Sequence, residues 1–228
     1  MRTFRDRREA GRLLGERLRR RRLPAPVVFG LPRGGVPVAA EVAALLDAPL
    51  DVVVVRKLGC PWQPELGVGA IGEDGIRVVD RHLVRHLGIR REALDEVVAR
   101  EQTELRRRVE RYRRGRAHAD VRGGTAVVVD DGIATGSTMR AALDVVRLWA
   151  PARLVLAVPV APPHTLSSLA PLVDATVCLV ATEAFGAVGQ FYDDFAQTTD
   201  DEVVAALAAA PAPTRRRAPG HRPGRVPL

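Results

Sequence analysis

An α/β domain, a Rossmann-like parallel sheet flanked by helices, is the architecture expected of this 228-residue sequence. Three observations lead there. Short β-branched runs alternate along the chain with longer stretches of helical apolar periodicity. Two of those runs, Val27–Gly30 and Val127–Val129, pass through Gly-containing loops directly into helical patterns. The length, with 46% hydrophobic residues, supports one sizeable core and is short for two. A single domain over residues 1–210 is therefore expected, followed by a Pro/Arg-rich tail, 211–228, whose composition predicts disorder.

In chain order, Thr3–Arg22 reads as a basic amphipathic helix with Phe4, Leu14 and Leu18 on one face, ended by Pro24 and Pro26. Val27–Gly30 is a strand, Leu31–Gly35 a loop and Val36–Leu46 a helix. In that loop Gly34 and Gly35 let backbone amides approach an anion, and Arg33 adds a guanidinium able to pair with two phosphate oxygens. The next strand, Leu50–Val55, ends in Arg56 and Lys57. The Gly/Pro-rich stretch after it reads as a mobile loop or an irregular hairpin containing Trp62 and Glu65. Gly67–Gly72 and Ile76–Val79 read as short strands, and Arg90–Arg114 as a long helix serving packing or a dimer surface.

The stretch Ala126–Met139, AVVVDDGIATGSTM, carries the chemistry. A buried-type strand ends in the carboxylates Asp130 and Asp131. The loop Gly132, Thr135, Gly136, Ser137 and Thr138 then offers N–H and O–H donors where a helix begins. The positive end of the helix dipole favours an anion there, and the paired acids suit hydroxyls or a magnesium ion beside it. The helix Ser137–Trp149, strands Arg153–Val160 and Ala175–Val180, and a last helix Asp200–Ala209 complete the pattern.

Composition narrows the function classes. No apolar run reaches the roughly 20 residues of a membrane span, and the Arg-rich start lacks a secretory signal, so a cytoplasmic protein with no membrane partner is expected. Cys60 and Cys178 have neither disulfide-scaffold nor zinc spacing, and the five histidines show no ligand or triad spacing. Much of the formal charge of +8 sits at Arg19–Arg22 and Arg215–Arg225, so solvated ends are favoured over a nucleic-acid groove. Every basic side chain but Lys57 is arginine, which hints at a site needing a compact point charge.

The Ala126–Met139 stretch resembles the phosphoribosyl-diphosphate signature of type I phosphoribosyltransferases. The resemblance implies that family's fold, with a core at 27–182 and small hood elements at 57–79 and 183–196. It implies ribose-hydroxyl binding by Asp130 and Asp131, with magnesium held indirectly, and 5-phosphate binding by Gly132, Thr135, Gly136, Ser137 and Thr138. Leu31–Gly35 is similar to the family's diphosphate loop, which gives Arg33, Gly34 and Gly35 that role. Arg56 and Lys57 resemble the pair that leaves the corresponding strand in adenine and orotate enzymes, implying a catalytic role at the leaving diphosphate.

Phe185 and Tyr192, in the late aromatic segment, are similar to the family's base-stacking residues, with plain aromatic packing left open. Trp62 and Glu65 match no family motif. The implied activity is Mg2+-dependent transfer of phosphoribose from phosphoribosyl diphosphate to a nucleobase or other small nitrogen acceptor, with a homodimer open. The alternative is a phosphoribosyl-diphosphate-sensing regulator that binds nucleic acid. The chain as a whole resembles a group of bacterial phosphoribosyltransferases of unassigned acceptor in which a late F-Y-D-D-F-like segment occurs with both loop motifs.

Overall fold

The computed structural model describes residues 3–116 and 118–210, so the expectation for 211–228 lies outside the described residues. Helix α1 (Arg7–Arg19) precedes β1 (Pro26–Gly30), α2 (Gly35–Leu46) and β2 (Leu50–Val52). A three-stranded excursion follows: β3 (Val55–Cys60), β4 (Gln63–Gly72) and β5 (Arg77–Val79). The chain continues through α3 (Arg81–His86) and α4 (Arg91–Arg113) to β6 (Thr125–Val129) and α5 (Ser137–Leu148). It ends with β7 (Arg153–Ala161), α6 (Pro163–Leu169), β8 (Ala175–Ala181) and α7 (Asp200–Ala209).

The main sheet has five strands in the order β2-β1-β6-β7-β8, all pairing in parallel. Its central strands are buried on both faces, which is why they read as nearly continuous apolar runs. Successive residues alternate sides. Val28, Val127, Val129 and Val155 join the core beneath α2 and α4, while Phe29, Val128, Leu154 and Leu156 join the core with α5 and Trp149.

β1 and β6 lie side by side, Val28 opposite Val127. The chain leaves β1 toward β2 on one side and leaves β6 toward β7 on the other. The loops after these two strands therefore diverge at a topological switch point, where open α/β sheets form their ligand crevice.

The expected strand Leu50–Val55 is divided: the parallel strand stops at Val52 and the antiparallel sheet begins at Val55. Side chains satisfy the backbone at the break, since Arg113 Nη2 donates to the Val52 carbonyl at 3.2 Å and Glu73 Oε1 accepts from Val54 N–H at 3.4 Å. Of the two readings of the following stretch, the hairpin is observed, with register shifts around Gly59.

Helix α1 starts later than expected because Asp6 caps it, accepting from Glu9 N–H at 2.7 Å. Phe4 is thus not on the helix. It lies extended beside Tyr192, donating to the Phe191 carbonyl at 2.7 Å, with Asp193 N–H returned to its own carbonyl at 2.8 Å. The segments 57–79 and 183–196 pack on different partners: β3 and β4 lie on α4 and α5, while Phe191 and Tyr192 cluster with Phe4, Ala10 and Val160. Among the described residues no helix is long and apolar enough to cross a membrane.

Candidate active site

The site grows from the carboxyl ends of β1 and β6. β6 ends at Val129, and the acids follow at once, both part-buried. Asp130 Oδ1 accepts from the Asp131 N–H at 2.9 Å, and Asp131 Oδ2 accepts from Arg7 Nε at 2.8 Å. The Asp131 carbonyl accepts from the Tyr192 hydroxyl at 2.5 Å. Burial, and then the neighbouring charge of Asp131, push the Asp130 carboxyl well above the usual carboxylate range. Burial also raises Asp131, and the Arg7 guanidinium opposes that rise.

Beyond the acids the chain turns tightly into α5. Gly136 caps that helix at φ 79°, a left-handed conformation that glycine adopts without a Cβ penalty. Thr135 and Thr138 are exposed and Ser137 is half-buried, so the hydroxyls stand around an open helix N-terminus. The turn is fixed from behind: Thr165 Oγ1 donates to the Ala134 carbonyl at 2.8 Å, and Ile133 N–H to the Val160 carbonyl at 3.0 Å.

The Leu31–Gly35 loop is pressed against the acids. Leu31 N–H donates to the Val129 carbonyl at 2.9 Å, and the Pro32–Arg33 peptide is cis. A Cβ on Gly34 would overlap the Asp131 carboxylate, and one on Gly35 would stand 2.8 Å from the Asp130 Cα and the Val129 carbonyl oxygen. Close approach, rather than an unusual backbone angle, requires both glycines.

A cavity of about 440 Å³ opens beside the loops. Leu31 and Pro32 carry the first loop into its wall, Thr138 carries the second, and Arg56 and Lys57 line it from β3. The remaining wall includes Glu65 from the hairpin and Arg100, Glu101 and Arg108 from α4. Arg56 Nη2 lies 2.7 Å from Glu101 Oε2. Lys57 Nζ donates to the Glu65 carbonyl at 3.1 Å and stands 3.5 Å from its carboxylate. Parts of the two loops and a wall rich in cations thus line one cavity, with the acidic pair at the seam of the loops.

The model of the phosphoribosyl transferase domain matches residues 7–196. The chain belongs to the phosphoribosyltransferase family. Two curated relatives, from two strains of Mycobacterium tuberculosis and both named provisionally as phosphoribosyl transferases, are 53% identical over 210 residues, 92% of this chain. The chain spans about half the length of those relatives, 47%. The crystal structure of TT1426 from Thermus thermophilus is 49% identical and superposes at a TM-score of 0.85, covering 91% of this chain and 98% of that one.

Tyr192 is not an open stacking surface: its ring is 7% exposed and lies between Phe4 at 5.5 Å and Phe195 at 5.0 Å. Phe185 packs on Phe191 at 5.4 Å, and neither it nor Tyr192 lines the cavity. Both belong to the cluster of Phe4, Ala10, Val160 and Phe191, the packing reading of the segment. Helix α4 packs on β3, β4 and α7, and its Arg100, Glu101 and Arg108 also form cavity wall. Trp62 stands 61% exposed at the hairpin tip, and His164 pairs at the surface with Glu183 at 3.7 Å.

Residues that sequence reading missed are polar partners from distant segments. Arg7 and Glu101 had no local signal among so many charges. Asp51 had one, as an acid inside an apolar strand. With Glu73 it brackets Arg113, all three 5–8% exposed. Arg113 Nη1 donates to Asp51 Oδ1 at 2.9 Å and Nη2 to Glu73 Oε1 at 2.8 Å, and Arg113 Nε pairs with the same glutamate. This buried cluster fixes the chain where it leaves the main sheet for the strand that carries Arg56 and Lys57.

Proposed function

We propose that this phosphoribosyltransferase binds 5-phosphoribosyl 1-diphosphate in the switch-point crevice and transfers its phosphoribosyl group to a nitrogen acceptor, with a nucleobase the first class to test. The 5-phosphate sits at the N-terminus of α5, on the Thr135, Gly136, Ser137 and Thr138 donors. Asp130 and Asp131 accept hydrogen bonds from the ribose hydroxyls. The Leu31–Gly35 amides and Arg33 take the diphosphate, with Arg56 and Lys57 on its far side. The observation that carries this reading is the contact of the two loops, Gly34 against Asp131, beside a cavity lined by Arg56 and Lys57.

The acceptor nitrogen attacks the anomeric carbon, the carbon–oxygen bond to diphosphate breaks, and the nitrogen then loses its proton. Charge accumulates on the departing oxygens, where fixed cations lower the barrier most. Arg56 is held by Glu101 and Lys57 by the Glu65 carbonyl, so both are oriented before substrate arrives.

Among the described residues no group of three or more His, Cys, Asp or Glu could hold a metal ion. The acidic pair fits a magnesium ion carried mainly by substrate oxygens and water, which Asp130 and Asp131 would hold through the ribose hydroxyls. When bound, such an ion would neutralise diphosphate charge.

The regulatory alternative leaned on the basic N-terminal helix. That helix packs on α2 and spends Arg7 on the acidic pair. The deciding experiment measures diphosphate release with magnesium across a panel of nitrogen acceptors, beside calorimetry with phosphoribosyl diphosphate alone. Binding without release from any acceptor would turn the reading toward a sensor, and absence of binding would end it.

A further inference from the structure

We infer that Arg7, the first residue of α1, is a positioning residue of the donor site: it holds the Asp131 carboxylate against the Gly34 loop and makes ribose recognition depend on the N-terminal segment. The inference rests on the phosphoribosyl-diphosphate reading above.

Arg7 and Asp131 are 124 residues apart in sequence, yet their side chains meet at 2.8 Å and are only 12% and 13% exposed. Other contacts fix the guanidinium as well. Arg7 Nη1 donates to the Ala196 carbonyl at 2.7 Å, and its plane lies 3.9 Å over the Phe195 ring. Phe195 stacks on Tyr192, whose hydroxyl donates to the Asp131 carbonyl. Arg7, Asp131, Tyr192 and Phe195 therefore close a ring of contacts in which one acid is gripped by both side chain and backbone.

The ring has a physical purpose in the site. Two adjacent part-buried carboxylates repel each other, and both must accept from ribose hydroxyls. A guanidinium on one of them lowers the cost of keeping the pair charged. Arg7 engages Asp131 through Nε alone, at Oδ2, so the grip sets an orientation without a bidentate clamp over the carboxylate. The Arg7 Nε also stands 3.3 Å from where a Gly34 Cβ would be, which puts it at the seam of the two loops.

The helix does not need this pair to stay in place. Leu14 and Leu18 are fully buried in the core, and backbone hydrogen bonds tie Phe4 and Arg5 to residues 191–194. By contrast, Arg12 on the same helix makes an exposed pair with Glu41 at 3.4 Å.

The test is calorimetry of the full chain with phosphoribosyl diphosphate and magnesium, and separately with inorganic diphosphate. Arg7→Gln is expected to weaken phosphoribosyl diphosphate by ~10-fold or more while leaving inorganic diphosphate affinity unchanged, and to lower the thermal midpoint because the buried Asp131 carboxylate loses its guanidinium. Arg7→Lys is expected to recover part of the loss, and Phe195→Leu to show a smaller loss of the same kind. Arg12→Gln should match the wild type. Equal weakening of both ligands by Arg7→Gln would make Arg7 a phosphate ligand or a structural prop, and unchanged binding would leave it no role; either result overturns the inference. If the wild type itself fails to bind phosphoribosyl diphosphate, the functional reading falls and takes the inference with it.

Discussion

The Tyr192 hydroxyl donates to the Asp131 carbonyl across 2.5 Å, with its ring stacked on Phe195. The late aromatic segment thus supports the acidic loop from below. Tyr192→Phe keeps the ring and removes the donor. It is expected to cost about 1 kcal/mol of stability and to weaken phosphoribosyl diphosphate a few-fold, read by urea denaturation and calorimetry. Wild-type values in both would detach Tyr192 from the site.

Gly35 lies where an added Cβ would stand 2.8 Å from the Asp130 Cα and the Val129 carbonyl oxygen. Gly35→Ala must push the two loops apart. Overpacking of this kind costs about 1–3 kcal/mol, and diphosphate release should fall more than stability does, because the displaced atoms are the binding atoms. A variant with normal release would show that the loops need not touch.

Asp130 gives a prediction in which stability and function part. Its carboxyl is raised in the folded chain by burial and by Asp131. A group raised on folding contributes stability that is present at low pH and is lost as pH rises through its folded value. At neutral pH the wild type therefore bears a penalty that Asp130→Asn relieves. The variant's thermal midpoint should exceed the wild type's by a margin that grows from the ordinary carboxylate range toward neutrality. Its affinity for phosphoribosyl diphosphate should drop on the order of 10–100-fold. A margin that does not change with pH would remove the buried charge as the cause.

Arg113 sits between Asp51 and Glu73 with all three side chains buried. Arg113→Met strands two acids in the interior, a change expected to cost about 3–5 kcal/mol. Adding Asp51→Asn and Glu73→Gln should return part of the loss, since the stranded charges are then gone. Chemical denaturation of the single and triple variants checks both steps, and a single variant as stable as wild type would refute the account.

Lys57 pairs with a Glu65 side chain that is 97% exposed, so the pair adds little to stability. Lys57→Ala should leave the thermal midpoint in place and lower turnover in diphosphate release ~100-fold, the scale of losing one fixed charge-stabilising group. Unchanged turnover would take Lys57 out of the reaction.

The order of strands and helices was readable because each element's pattern is local. A β-branched run such as Val127–Val129 fits a strand buried on both faces, and the helices carry their own stripes. The AVVVDDGIATGSTM stretch was equally readable, because a strand end, two acids and a helix start must be contiguous in sequence to form one turn. Helix α1 was overextended by its periodicity: Asp6 caps it locally, and the pairing of Phe4 with Tyr192 is decided by a segment some 190 residues away. The strand Leu50–Val55 looked continuous for the same reason: Arg113 and Glu73, which divide it, lie far along the chain.

Local pattern, then, was enough for the strands and helices one by one, the Gly-containing loops after β1 and β6 and the acids that follow β6, because each is written in a short consecutive stretch. The partners of those groups were settled by packing alone. Arg7 on Asp131, Glu101 on Arg56, Glu65 on Lys57 and the burial of Tyr192 are meetings of separate segments. One charge among the 62 in this chain carries no mark of which other it will face. The sheet order brings the strand ends together, and only then do depth and distance choose the pairs.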